Sequence, residues 1–267
     1  MEHFEGHGDH WNALGFEDHE IVEKIEESVK KGVLLKNKTF ENFDIKIIPI
    51  VYPVENPVQF CSLVVSKNNK NTADAFFPIL EGIKNTVVFD NKFTWENNLE
   101  GEVEFFRENR YNLSFYAPYF QYNFSKMKKG EKFDVYLSGL AFFVEKAEME
   151  HRIDKGDMYK IALKDFLKNN PQKNQRDFPF VTLDMNGATI LFPTDEYSVF
   201  EYRGKILDLN YEKIFDKRII KAKVSLEKND DEYNLFINLY FSEKNVRNCE
   251  IKIGNDIQCR LWLMGYI

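Results

Sequence analysis

Two hydrophobic periods alternate along this chain. Between Asp18 and Gly32, Ile21, Val22, Ile25 and Val29 recur at three- and four-residue spacing, with Glu23, Lys24, Glu26, Glu27, Lys30 and Lys31 on the other side. That spacing predicts an amphipathic helix stopped by the glycine. Period two then takes over. Phe43 to Val54 alternates as a strand, and Pro49, Pro53 and Pro57 predict that it lies at a sheet edge or ends early. Phe60 to Ser66 reads as a second strand, while Ala73 to Leu80 is apolar but short and fits neither period clearly.

Thr86 to Phe89, Phe93 to Trp95 and Val103 to Phe106 predict short strands, with turns at Asp90-Asn91 and Glu96-Asn97-Asn98. Leu113 to Phe124 is dense in aromatics and is followed by a basic turn, Lys126 to Gly130, and a long strand from Phe133 to Val144 bent at Gly139. Met158 to Leu167 returns to helical spacing and Pro171 ends it. Gln172 to Asp177 lacks an apolar anchor and predicts a linker. Phe178 to Leu183 and Ala188 to Phe192 read as short strands flanking Asp184-Met185-Asn186-Gly187, a turn with Gly in the position that tolerates positive φ. Val199 to Leu209, Arg218 to Leu226 and Tyr233 to Phe241 form a meander, and a short helical turn at Ser242 to Val246 precedes the last strand. That strand, Leu261-Trp262-Leu263-Met264-Gly265-Tyr266-Ile267, is the most hydrophobic in the chain. A terminal segment of this kind repays its ordering entropy only when locked into a sheet, so it is expected to close a barrel.

The fold class expected is therefore α+β and β-rich, with antiparallel sheets and a C-terminal OB-like small β-barrel. The expected division is an N-terminal α/β portion with a His-rich start, residues 1–111, and a β-rich domain with the barrel unit, residues 112–267.

Composition adds to this picture. The 25 phenylalanines and 13 tyrosines favour strands, and a hydrophobic fraction of 43% places the chain among globular proteins. Acidic residues outnumber basic ones for a net charge of −7, a field that repels phosphates and anionic surfaces and suits a basic partner. Cys61, Cys249 and Cys259 are widely spaced and odd in number, which predicts free thiols and a reducing cytoplasm. The longest apolar runs, Ile47 to Val54 and Leu137 to Val144, fall far short of the ~20 residues of a spanning helix. The acidic start also has no basic n-region of a secretory signal.

Two stretches carry candidate chemistry. His3, His7, Asp9, His10 and His19 gather ligand types that suit zinc or another divalent metal, and a metal-dependent hydrolase would be built there. The spacing lacks His-Glu-x-x-His or His-x-His-x-Asp-His, and the competing reading is a polar segment that contains histidines. Tyr116, Tyr119 and Tyr122, followed by Lys126, Lys128 and Lys129, suit a single-stranded nucleic-acid or partner surface, on which rings stack bases and lysines meet phosphates. The competing reading makes the rings core and the lysines a solvated turn. No nucleophile elbow, phosphate loop or dinucleotide fingerprint occurs. The function expected is thus a non-enzymatic cytoplasmic binding protein acting on a macromolecular partner, such as an immunity or inhibitor protein covering a basic site.

Lys128-Lys129-Gly130-Glu131-Lys132-Phe133 and Leu137-Ser138-Gly139-Leu140-Ala141, with Gly254-Asn255-Asp256-Ile257 and the Leu261 to Ile267 strand, resemble a family of uncharacterised bacterial proteins. That family ends in a Gly-Asp-x-Ile-x-Gly-x-Leu-Trp-Leu-Gln-Gly-Tyr-Leu-like strand. The resemblance covers residues 112–267, and the chain departs from it at Cys259, where the family has Gly, and at Met264, where it has Gln. It implies a β-barrel and a bacterial cytoplasmic setting, and no activity.

Overall fold

The computed structural model describes residues 8–35, 39–42, 45–68, 70–96, 99–106, 112–229 and 232–267. Two compact units emerge: residues 1–146 with 189–267, and residues 147–188.

The larger unit opens with helices α1 (Gly8–Ala13) and α2 (Asp18–Lys31). The Glu17 amide donates to Glu20 Oε2 at 2.8 Å and closes the start of α2. The helix is rolled relative to its apolar stripe: Ile21 and Ser28 are buried, while Val22 and Val29 face solvent. Ser28 decides this roll, because its hydroxyl donates to the Ile25 carbonyl (2.8 Å) and meets the Ser62 hydroxyl (3.0 Å) in the interior. Lys217 fixes the other flank through an ion pair to Glu20 at 2.6 Å.

Strands β1 (Val33–Leu34), β2 (Phe40–Asn42), β3 (Ile45–Tyr52), β4 (Val58–Lys67) and β5 (Lys70–Leu80) form one antiparallel sheet in the order β1-β3-β4-β5, with β2 also on β3. The apolar Ala73 to Leu80 is thus a strand. β3 lies inside the sheet rather than at an edge. Pro49 is tolerated because it falls between the β1 pairs at Ile50 and Val51 and the β2 pair at Ile47, where its carbonyl accepts from the Leu35 amide and no donor is missed.

The second sheet begins with β6 (Ile83–Thr94), β7 (Gly101–Phe106) and β8 (Leu113–Ala117), followed by the short helix α3 (Phe120–Asn123) and β9 (Lys132–Lys146). β6 runs straight through Asp90-Asn91, where a turn was expected. The structure has a bulge there, and both backbone groups of Phe89 bond to the Gly130-Glu131 turn while Asp90 pairs with Lys129.

The smaller unit holds β10 (Glu150–Ile153), α4 (Gly156–Asn169) and β11 (Val181–Asp184), with β10 and β11 antiparallel. The expected linker at 172–177 is a capped turn: Asn174 Oδ1 accepts from the Arg176 amide, and Asp177 accepts from the Asn174 amide. Phe178 anchors it to α4 by stacking on Phe166 and accepting from the Tyr159 hydroxyl. The turn expected at Asp184 to Gly187 is present, with Gly187 at φ +66°, and the strand before it, β11, pairs with β10.

The larger unit resumes with β12 (Ile190–Pro193), β13 (Val199–Lys205), β14 (Asp208–Ile214), β15 (Lys217–Asn229), β16 (Glu232–Ser242), β17 (Val246–Arg247) and β18 (Asp256–Tyr266). β12 pairs with β13. The run from Val199 to Leu209 breaks at Ile206-Leu207, whose amides bond to the Asn255 carbonyl just before β18 and to the Lys223 carbonyl on β15. The sheet has eleven strands, in the order β12-β13-β18-β8-β7-β6-β9-β16-β15-β14, with β17 on β9 and a further pairing of β18 with β9.

β18 is therefore a central strand, and its composition follows from its place. Leu261 and Leu263 enter one core, with Phe105, Phe115, Phe124 and Phe241. Trp262 and Met264 enter a second, with Trp11, Phe60, Phe77 and Tyr116. A strand buried on both faces reads as a continuous apolar run.

Candidate functional site

The larger unit has a cleft of about 470 Å³ lined by Val54, Glu55, Asn56, Pro57, Gln59, Ile79, Glu81, Glu212 and Tyr266. Its residues come from the β3–β4 loop, the start of β4, the β5–β6 junction, β14 and the end of β18. The loop is pinned at several points. Asn56 donates to the Lys213 carbonyl (2.8 Å) and accepts from the Val58 amide (3.0 Å), and Gln59 donates to the Pro53 carbonyl (2.9 Å). Pro57 accepts from the Glu81 amide at 2.7 Å.

Glu81 is held from behind as well, since its carbonyl accepts from Asn238 (2.9 Å) and from the Tyr240 hydroxyl (3.1 Å). The Tyr266 hydroxyl accepts from the Gly82 amide at 3.2 Å, and its ring stacks on Tyr136. Burial pushes the Tyr266 phenol up, and Glu81 reinforces the shift, so it stays neutral. Burial likewise raises Tyr240, and Glu81 and Glu212 add to the effect, which shows both carboxylates acting on one place.

The Glu81 carboxylate pairs with Lys221, whose ammonium also lies over the Tyr240 ring. Glu55 and Glu212 have no ion pair among the described residues. Three carboxylates against one ammonium leave the cleft negative. Rigid walls, carbonyl and carboxylate acceptors and a neutral phenol suit an ammonium or guanidinium group.

A second groove of about 240 Å³ lies on the β12-β13-β18-β9 face. Phe143, Phe192 and the nearly buried Arg203 line it, with Glu145 and Glu201 alongside.

The residues singled out in the sequence are scattered. His3 and His7 lie outside the described residues. Asp9 is exposed on α1, and His10 packs its ring 3.8 Å from Trp262. His19 is exposed near the start of α2. Among the described residues, no three His, Cys, Asp or Glu side chains are grouped to hold a metal.

Tyr116 and Tyr119 are interior, where Tyr116 donates to Glu100 and Tyr119 shares a hydrogen bond with the Cys61 thiol. Tyr122 is exposed, as are Lys126, Lys128 and Lys129, so the run divides between core and surface and makes no stacking platform. The cleft residues carry no spacing signal, because four separated segments supply them.

Protein-family models, curated proteins and solved structures were compared with the chain, and none matches.

Proposed function

We propose that the protein is a non-enzymatic binding protein whose acidic cleft receives a basic segment of a macromolecular partner, in the manner of an immunity or inhibitor protein. The observation that carries this reading is the cleft itself: Glu55, Glu81 and Glu212 converge in a pinned, concave site that holds one compensating lysine. Such a site strengthens association with a positive surface and discriminates against acidic partners. The net charge of −7 extends the same preference over distance.

Cys61, Cys249 and Cys259 are free, which supports a reducing, cytoplasmic setting. The strand pairings that link β6, β7, β8, β18 and β9 in turn support an OB-like small barrel as the frame behind the cleft.

The test is calorimetry of a triarginine peptide against the full chain at low salt. The expected result is binding that weakens as salt rises and drops about tenfold in the double variant Glu55→Gln, Glu212→Gln. Equal affinity for the double variant would sink the cleft as the site.

A further inference from the structure

β14 ends the eleven-stranded sheet, and among the described residues β15 is its one strand neighbour. Its hairpin to β15 is tight, with Ile214 paired to Lys217. In an antiparallel strand, the amide and carbonyl of one residue point to the same side, and successive residues alternate. The Lys213 carbonyl points away from β15, because Asn56 donates to it at 2.8 Å. The backbone groups of Tyr211 and Leu209 therefore point outward too. The Leu209 amide is taken by Asp208 Oδ1 (2.8 Å). Tyr211 presents its amide and carbonyl at the middle of the edge.

The side chains of the same strand divide by sign. Asp208, Asn210 and Glu212 share one face, and Glu212 is the residue that lines the cleft. On the opposite face Lys213 pairs across to Arg218, whose guanidinium lies over the Tyr211 ring at 4.4 Å. An added strand would lie ~4.8 Å from β14 and about twice that from the lysines of β15. It would meet Asp208 and Glu212 on one face, with Lys223 and Lys221 a strand further back on β15, and Lys213 on the other.

We propose that β14 is an acceptor edge, on which the partner's basic segment adds as an extended strand with every second residue basic and one cation entering the cleft beside Glu212. This rests on the cleft reading above and adds the conformation and sequence pattern of what is bound. Backbone pairing would supply affinity and the alternate side chains specificity, as in other strand additions. Asn56 marks one end of the acceptor edge by occupying Lys213.

The test uses the full chain and four probes in calorimetry at low salt. They are acetyl-Arg-Thr-Arg-Thr-Arg-Thr-amide, its block permutation acetyl-Arg-Arg-Arg-Thr-Thr-Thr-amide, and the alternating peptide with its threonine amides N-methylated and a second version with its arginine amides N-methylated. The alternating peptide is expected to bind about tenfold tighter than the block peptide and than whichever N-methylated version blocks its pairing edge. Tyr211→Pro, whose missing amide faces outward and breaks no bond to β15, is expected to erase that advantage. Equal binding of all the peptides would overturn the strand addition and leave the cleft reading standing. Absence of binding by every peptide would overturn both. A concentration-dependent dimer that Tyr211→Pro abolishes would overturn the assignment by making a second copy the occupant. Should Tyr211→Pro fail to fold, the N-methylated comparison still decides.

Discussion

The phenol of Tyr116 donates to Oε1 of Glu100 at 2.5 Å, and both side chains are wholly buried between the two sheets. Removing the hydroxyl leaves a carboxyl oxygen in the core with one donor fewer. Tyr116→Phe should therefore cost ~1–3 kcal/mol, read as a lower urea midpoint with unchanged m. Glu100→Gln keeps a carbonyl to accept the same bond and should cost less. A Tyr116→Phe midpoint equal to wild type would show that the bond contributes nothing net.

Glu102 lies two residues on, at 2% exposure, and burial pushes its carboxyl up to about 7. The nearby Ser198 hydroxyl and Trp95 indole favour the charged form, and Glu104 opposes it, but desolvation dominates. With the folded value above the ordinary 4.5, the native state binds the extra proton between those limits. Stability from this group is thus fully present below about pH 4.5 and falls as pH rises towards 7, by ~3 kcal/mol at most. Glu27 acts in the opposite sense: Lys24 and Lys31 hold it down to about 2, so its contribution is present above about pH 4.5 and is lost progressively as pH falls from there towards 2. Urea midpoints from pH 5 to 8 should fall with rising pH in wild type and stay level by comparison in Glu102→Gln. Parallel profiles would refute the assignment.

What the sequence disclosed follows from how local each signal is. α2 and the β15–β16 meander were legible because a solvated face preserves its period: Lys221 and Lys223 alternate with buried Ala222 and Val224. The bulge at Phe89 was not, since the groups that satisfy it belong to Gly130 and Glu131, some forty residues on. Asp90 reads as a turn former by propensity, and its pairing to Lys129 overrides that preference. The partners of β11 and β12 are hidden for a similar reason. A turn signal at Gly187 says where the chain bends, whereas the strands it separates pair with β10 and β13. The cleft was invisible because Glu55, Glu81 and Glu212 are each unremarkable in their own neighbourhoods and meet only through tertiary pairing.

Gly101 opens β7 with its backbone pressed against β6. A methyl group placed on it would sit 2.4 Å from the Phe93 carbonyl oxygen and 2.6 Å from the Phe120 ring. The ring has some freedom to move, but the carbonyl belongs to the ladder and has little. Gly101→Ala should cost ~1–3 kcal/mol through overpacking. A variant as stable as wild type would mean that β6 shifts freely at this end, and thermal unfolding distinguishes the two.

The heaviest prediction concerns β18. Trp262 packs its ring 4.7 Å from Tyr116 and 3.8 Å from His10, and pairs across to Leu140 and Val199 on neighbouring strands. Trp262→Ala removes a buried indole from the second core and should cost ~3–5 kcal/mol, a large part of a domain's stability. Leu263→Ala empties the first core from the same strand and should cost ~2–5 kcal/mol. Because the two side chains point to opposite faces, their effects should add to within about 0.5 kcal/mol if the cores are independent. A marked excess in the double variant would show instead that the two cores fail together through β18. Deleting residues 261–267 takes contacts from both cores and strips β13 and β9 of a shared partner, so no cooperative unfolding transition should remain. A truncated chain that still melts cooperatively would mean that β13 and β9 hold their places without it.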